Sequence, residues 1–163
     1  MSDDMIAALA GQGGVIMINY GSAFLTEEAN AYGDKRDAAY ESWLEANGEA
    51  ETDANREAFR ARYRADTPYP YAHLDDVLDH IDHVIDLIGN ADHVGIGSDY
   101  DGVGDSLPIG LKDVSSYPNL IAGMLERGYS DAQIEKILGG NLLRVWRANE
   151  AYAADTMGET ERP

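Results

Sequence analysis

The chain has 163 residues, 44% of them hydrophobic, with 30 Asp and Glu against 12 Lys and Arg, a formal net charge of −18 and no cysteine. That length suits one domain, and that apolar content buries a real core, so disorder throughout is excluded. The negative field repels nucleic acid and anionic lipid and favours cations or basic partners, and such an acidic excess is also what a protein adapted to high salt would carry; the missing cysteine removes disulfides, thiolate metal sites and a cysteine nucleophile.

The N-terminus, "MSDDMIAALAGQGG", is acidic and lacks the basic region of a secretory signal. It enters structured sequence abruptly, and the expected location is cytoplasmic if Met1 is the true start. No apolar stretch approaches the roughly 20 residues needed to span a bilayer. Ser2 is placed to cap a helix over residues 3–11, with Asp3 and Asp4 in its first turn, where the helix dipole favours negative charge. Gly13-Gly14 ends it. The apolar run "VIMINY", residues 15–20, reads as a strand buried on both faces.

Residues 26–66 are charged and alanine-rich. Tyr40, Trp43 and Leu44 keep helical spacing, as do Phe59 and Tyr63, so two amphipathic helices are expected with a break near Asn47-Gly48. This segment reads as a surface insertion: a lid, a contact surface or a solvated hairpin. After the loop "TPYPY", the stretch "HLDDVLDHIDHVIDLIG" places apolar residues at 74, 77, 78, 81, 84, 85 and 88, a helical stripe ended by Gly89. A second buried strand, "HVGIGSD" (93–99), precedes a loop from Asp99 to Lys112. "SSYPNLIAGMLERG" is a helix with Pro118 in its first turn and Gly128 as its stop. "SDAQIEKILGG" opens with a capping box formed by Ser130 and Gln133. "NLLRVWRANEAY" closes the folded part, which spans residues 1–155, and residues 156–163 read as a flexible tail. Two apolar strands separated by a helical crossover predict parallel pairing in an α/β fold. Two strands cannot cover their own edges, so strands are missed here or the sheet continues in another segment.

Candidate chemistry gathers after the second strand. In parallel α/β folds functional groups cluster at the carboxyl ends of strands. Asp99 follows "GIGS", whose small residues leave space beside the strand for a ligand or another backbone. Such a carboxylate could bind a metal, accept a proton from water or hold a substrate ammonium. Equally, Asp99 and Asp101 could shape a turn in which Gly102 supplies a positive φ. The loop fails the EF-hand pattern, because Val103 falls on a ligand position in both registers. "GIGSDY" fails the dinucleotide fingerprint, with tyrosine in place of the third glycine. His80 and His83 share a helix face but lack the further ligands a zinc site needs; hydrogen bonding at the helix–sheet boundary is the plainer reading. His73 is placed to help cap its helix, and His93 begins the strand. No nucleophile elbow or phosphate loop is present.

The motifs "DHIDH", "GIGSDYDG", "GLKDVSSYPNLI" and "GGNLLRV", in this order, resemble the C-terminal part of the membrane dipeptidase (renal dipeptidase-like) family of zinc peptidases. "GGVIMINYGSAFL" resembles that family's next-to-last barrel strand. The resemblance implies the last two strands and helices of a (β/α)8 barrel, and hydrolysis of dipeptides by a binuclear zinc site at the strand ends. It implies that Asp99 is the acidic residue beside the bridging water and the substrate amino group, acting as proton shuttle and ammonium anchor. Phe24 falls where relatives can carry a substrate-facing tyrosine, so packing against substrate carries over. Asp101 matches a family position with a turn-forming role, and His80 and His83 match histidines that are not metal ligands. The family's zinc ligands and substrate-binding arginine lie upstream of the matched region, so none of this chain's residues is assigned to metal. A complete barrel takes about 200–250 residues. The expectation is therefore a fragment, inactive alone, whose missing N-terminal half holds the metals. The alternative is a non-catalytic acidic interaction module, with a homo-oligomer burying its strand edges.

Overall fold

The computed structural model describes residues 1–160, with side-chain surroundings through Thr156. Helix α1 (Asp3–Gly11) leads to strand β1 (Ile16–Ile18), a single-turn helix α2 (Ser22–Leu25), and the long pair α3 (Glu27–Asn47) and α4 (Asp53–Asp66). Helix α5 (Leu74–Ile88) then feeds strand β2 (Val94–Ile96). A 3-10 turn at Val114–Ser116 opens α6 (Tyr117–Glu126), and α7 (Asp131–Glu135) runs through a π turn at Lys136–Gly140 into α8 (Asn141–Thr160). The expected parallel pairing is present, with Ile16 opposite Val94 and Ile18 opposite Ile96.

Side-chain alternation gives the two-stranded sheet distinct faces. Ile18, Tyr20 and Val94, with the partly buried Ile16 and Ile96, pack into the helix-side core. Helix α5 supplies Val77, Leu78, Ile81 and Val84, the centre of the apolar stripe read from its sequence. Gly89 ends α5 in the left-handed conformation, at φ +82°. Helix α6 lies close against α5 because Gly123 has no side chain: a Cβ there would sit 2.6 Å from Leu78 Cδ1. Arg127 then clamps the two helices, donating from Nη1 to Asp79 and Asp82.

The strands are shorter than their apolar runs. The ladder covers 16–18 and 94–96, whereas residues 15–20 and 93–99 were expected, because an apolar run records burial under helices and a ladder requires a partner in register. Ser2 stands at the start of α1 without a side-chain cap bond. The Ser130 cap forms as expected, with Gln133 N donating to Ser130 Oγ at 3.4 Å and Ser130 N to Gln133 Oε1 at 3.0 Å. Residues 156–160, expected to form a tail, continue helix α8; residues 161–163 of that expected tail lie outside the described residues.

The two sheet edges differ. Along β2, buried Asn141 donates from Nδ2 to the carbonyls of Ala91 (2.6 Å) and Val94 (2.8 Å). Beside β1 lies an open trough of about 490 Å³, lined by Ile6, Ile16, Met17, Asn19, Phe24 and His80 among others. Helices α3 and α4 form the expected hairpin, turning at Gly48 with φ +64°. An aromatic seam closes it: Tyr32 on Tyr63 (ring centroids 5.6 Å), Tyr40 on Phe59 (5.3 Å) and Trp43 on Phe59 (5.8 Å). Among the described residues no helix is long and apolar enough to cross a membrane.

Candidate active site

The carboxyl ends of the two strands meet through side chains. Asn19, just past β1, donates from Nδ2 to Asp99 Oδ2 at 2.8 Å. The other end of the same carboxamide, Asn19 Oδ1, accepts from the backbone N–H of Gly21 at 2.8 Å. The amide is therefore held at both ends and fixes one oxygen of a half-buried carboxylate. Gly97 N donates to Ile18 O at 2.9 Å, which brings the two strand ends side by side.

The space beside "GIGS" is occupied by the neighbouring strand. Cβ atoms at Gly95 and Gly97 would lie 2.8 Å from Met17 Sδ and 3.0 Å from Met17 Cβ. The neighbouring strand takes this space, chiefly with the Met17 side chain and, at Gly97, also with the carbonyls of Met17 (3.3 Å) and Ile18 (3.4 Å). The turn after β2 also differs from its expected geometry. The left-handed residue is Asp99 itself, at φ +59°, and it is the one described non-glycine residue with positive φ. Aspartate tolerates this region better than most side chains. Gly102 is needed for room instead: its N–H closes the turn on Asp99 O at 3.0 Å, and a Cβ there would sit 2.2 Å from Asp99 Oδ1. Asp101 is exposed within the same turn.

The loop that follows is anchored at several points. Buried Ser22 donates its backbone N–H to Ser106 O at 2.8 Å, and its hydroxyl reaches the same carbonyl while accepting from Ala72 N. Tyr71 donates to Asp105 at 2.8 Å, and Lys112 Nζ sits 3.8 Å from the Tyr71 ring centroid. Tyr100, next to Asp99, donates to Asp113 O at 2.9 Å. Burial, with Tyr117 and Asp113 nearby, pushes its phenol up to about 12, so it stays protonated near neutral pH. Asp113 is held below the usual carboxylate range by the Ser115 hydroxyl and the backbone N–H groups of Ser115 and Ser116.

Phe24 stands on α2 with 63% of its surface exposed and its ring against Gly21. It lines the trough beside β1 together with Asn19, so Asn19 touches both this apolar wall and Asp99. The histidines are separately engaged. His80 Nε2 donates to Leu25 O at 2.9 Å, His83 Nε2 to Asp3 Oδ1 at 2.8 Å, and His93 Nδ1 to Gly14 O at 2.9 Å. At the start of α5, His73 N donates to Asp76 Oδ2 at 2.7 Å. Among the described residues no three His, Cys, Asp or Glu side chains come together to hold a metal ion.

Sequence reading missed Asn19 and Ser22. Asn19 carried a usable signal, a lone carboxamide closing an apolar strand just ahead of a glycine. Ser22 carried none, since its partners lie 50 and 84 residues away.

Comparison with known proteins gives the family of the chain. The profile of the family described as membrane dipeptidase (peptidase family M19) matches residues 1–160. Dipeptidase tcpJ of Claviceps purpurea is 48% identical over 87 residues, 53% of this chain and 20% of that protein. Dipeptidase 3 of Mus musculus is 42% identical over 90 residues, 55% of this chain and 18% of that protein. Among solved structures, the probable dipeptidase PvdM from Pseudomonas aeruginosa superposes with a TM-score of 0.67 at 31% identity, over 90% of this chain and 40% of that one. A metallo peptidase from Rhodobacter sphaeroides, solved with a phosphinate mimic of the dipeptide L-Ala-D-Ala, gives 0.56 at 27% identity, over 87% of this chain and 29% of that one. The matches thus span about one fifth of the curated relatives' length and less than half of the solved neighbours'. The chain belongs to the membrane dipeptidase family.

Proposed function

We propose that this chain forms the last two strands and surrounding helices of a (β/α)8 barrel in a zinc-dependent dipeptidase. The observation that carries the reading is the Asn19–Asp99 pair, a carboxylate fixed at the carboxyl ends of parallel strands, where such folds do their chemistry. Family membership and the neighbour bound to a dipeptide mimic support the reaction class. Among the described residues both outer edges of the two-stranded sheet lack a strand partner, which supports continuation of the sheet beyond β1 and β2, as a closed barrel requires.

In this reading Asp99 accepts a proton from the attacking water and holds the substrate ammonium. Asn19 holds one carboxylate oxygen in place, while the other lies over Gly102 in the turn, so Asp99 acts from a fixed position at the strand ends. Phe24 packs against a substrate side chain. The residues described here do not fit a two-zinc site, since no cluster of donors is present and His80 and His83 are bonded elsewhere. Both ions would be held by side chains outside these 163 residues, and no step is assigned through them.

The test is zinc per molecule by elemental analysis, with dipeptide hydrolysis measured on the same sample. The chain alone is expected to hold well under one zinc and to show no turnover. A chimera in which residues 1–160 replace the matching segment of the Pseudomonas aeruginosa neighbour is expected to bind about two zinc ions and hydrolyse L-Ala-D-Ala. Asp99→Asn in that chimera is expected to keep the zinc and lose at least about 100-fold in turnover. Stoichiometric zinc with turnover in the isolated chain would overturn the ligand assignment.

A further inference from the structure

A second cavity, about 360 Å³, lies between the helical hairpin and the loop after β2. Arg36 from α3, Arg64 from α4, Tyr69, Asn30, Val103 and Ser106 contribute to its wall. It adjoins the candidate active site, because Val103 Cγ1 and the Phe24 ring both lie within 3.0 Å of where a Gly21 Cβ would stand. In a chain with 12 basic against 30 acidic residues, two guanidinium groups lining one cavity need a reason.

Neither arginine is fully used. Arg64 is exposed and makes no ion pair or hydrogen bond among the described residues, its charge acting on the Tyr71 phenol. Arg36 is three-quarters buried and pairs with its neighbour Asp37 through Nε (2.9 Å) and Nη2 (2.8 Å), which leaves Nη1. The acidic residue on the wall, Asp105, already accepts from Tyr71 and faces Lys112 Nζ at 3.8 Å. The Tyr69 hydroxyl has no hydrogen bond among the described residues, and burial beside Tyr32 keeps it protonated and able to donate. Two guanidinium groups and a phenol around a partly apolar space match a carboxylate on a short aliphatic stem.

We propose that this cavity is a carboxylate-binding site, with Arg36 and Arg64 as its cationic wall and Tyr69 as a further donor. Its position beside the Asp99 loop makes the ligand the acidic side chain of a peptide substrate. That last assignment rests on the dipeptidase reading, whereas carboxylate binding does not.

The experiment is a titration of the isotope-labelled 163-residue chain, followed through its backbone amide NMR signals. The probes are N-acetyl-glutamate amide, its glutamine counterpart and glutarate. N-acetyl-glutamate amide is expected to shift signals of residues 64–69 and 103–106 saturably, with a Kd of about 1 mM, and the glutamine counterpart to leave them in place. Arg36→Gln and Arg64→Gln are each expected to weaken binding by at least about tenfold, and Arg64→Lys by less, while melting temperature is unchanged. Glutarate binding more weakly than N-acetyl-glutamate amide supports the peptide assignment; glutarate binding more tightly overturns it and leaves a site for free organic acids. Equal shifts with the glutamine probe, or shifts insensitive to both arginine changes, would overturn the carboxylate site itself. Because the readout is binding, a failure of dipeptide hydrolysis leaves this result standing.

Discussion

Asn19 and Asp99 lie 80 residues apart in the chain and are joined by a 2.8 Å hydrogen bond at the ends of two parallel strands. Asp99 also adopts a left-handed backbone conformation that most side chains avoid, at φ +59°, in a turn closed by the Gly102 N–H on its carbonyl. Backbone and side chain therefore make separate demands on this residue. Asp99→Asn satisfies the first, since asparagine also tolerates this region, and is expected to change stability by less than about 0.5 kcal/mol. Asp99→Ala satisfies neither and is expected to cost about 1 kcal/mol or more. Urea denaturation of both variants reads the difference. Equal losses in the two would mean that the turn does not depend on the side chain's tolerance of positive φ.

Much of this architecture was legible in the sequence. The stripe in α5 with its Gly89 stop, the Gly48 break in the hairpin and the Ser130–Gln133 cap are local patterns, each fixed by residues within a few positions. Parallel pairing followed from two apolar runs with a helical crossover. What escaped was set by distant partners. Asn141 looks like any polar residue after two glycines, yet its amide closes two carbonyls at positions 91 and 94. Arg127 reads as a charge near a helix end, yet it reaches Asp79 and Asp82 on another helix. The glycines of "GIGS" announced a close approach, but not that Met17 would fill it.

Asn141 gives the sharpest stability prediction. It is 3% exposed and serves carbonyls in and before β2. Asn141→Ala leaves both acceptors buried without a donor, at about 1–3 kcal/mol each, with some relief from water entering the space. The expected loss is about 2–4 kcal/mol. Hydrogen exchange at β2 amides should speed up by the factor corresponding to that loss, whereas α4, which has no buried residue, should be unaffected.

Tyr20 runs the other way. Its side chain is fully buried against Tyr100, with ring centroids 5.8 Å apart, and its hydroxyl faces the Tyr117 side chain without forming a well-aligned hydrogen bond among the described residues. Burial, with Tyr117 and Tyr100 nearby, pushes its phenol far above the ordinary value. Tyr20→Phe keeps the ring packing and removes the unsatisfied oxygen. It is expected to raise stability by up to about 1 kcal/mol, read as a higher melting temperature. A loss of more than about 1 kcal/mol would show that the hydroxyl has a partner in solution.

The Arg127 clamp should behave as a partly exposed charge network. Its side chain is 24% exposed, and its partners Asp79 and Asp82 are 67% and 35% exposed. Tyr129 also donates to Asp82, so Arg127→Ala leaves that carboxylate with one donor. After discounting for solvent screening, the expected loss is about 1 kcal/mol. Raising salt to about 1 M should shrink the gap between wild type and variant. A gap that salt does not change would assign the loss to packing of the arginine stem against α5.

The pair between Asp92 and Lys136 ties the loop before β2 to the π turn, with Lys136 Nζ 2.6 Å from Asp92 Oδ1. The Lys136 hydrogen bond holds the Asp92 carboxyl below its ordinary value. A depressed carboxyl stabilises the fold above its unfolded-state pKa, and that contribution is lost as pH falls through the folded-state value. Both groups are nearly half exposed, so the pair is worth under about 1 kcal/mol. Lys136→Met should therefore open a small stability gap that is constant from neutral pH down to about 5 and closes below about 4. Denaturation midpoints across that range read the gap, and carbon NMR of the Asp92 carboxyl reads its cause. A gap that persists at low pH would show that Lys136 supports the π turn through its stem and not through its charge.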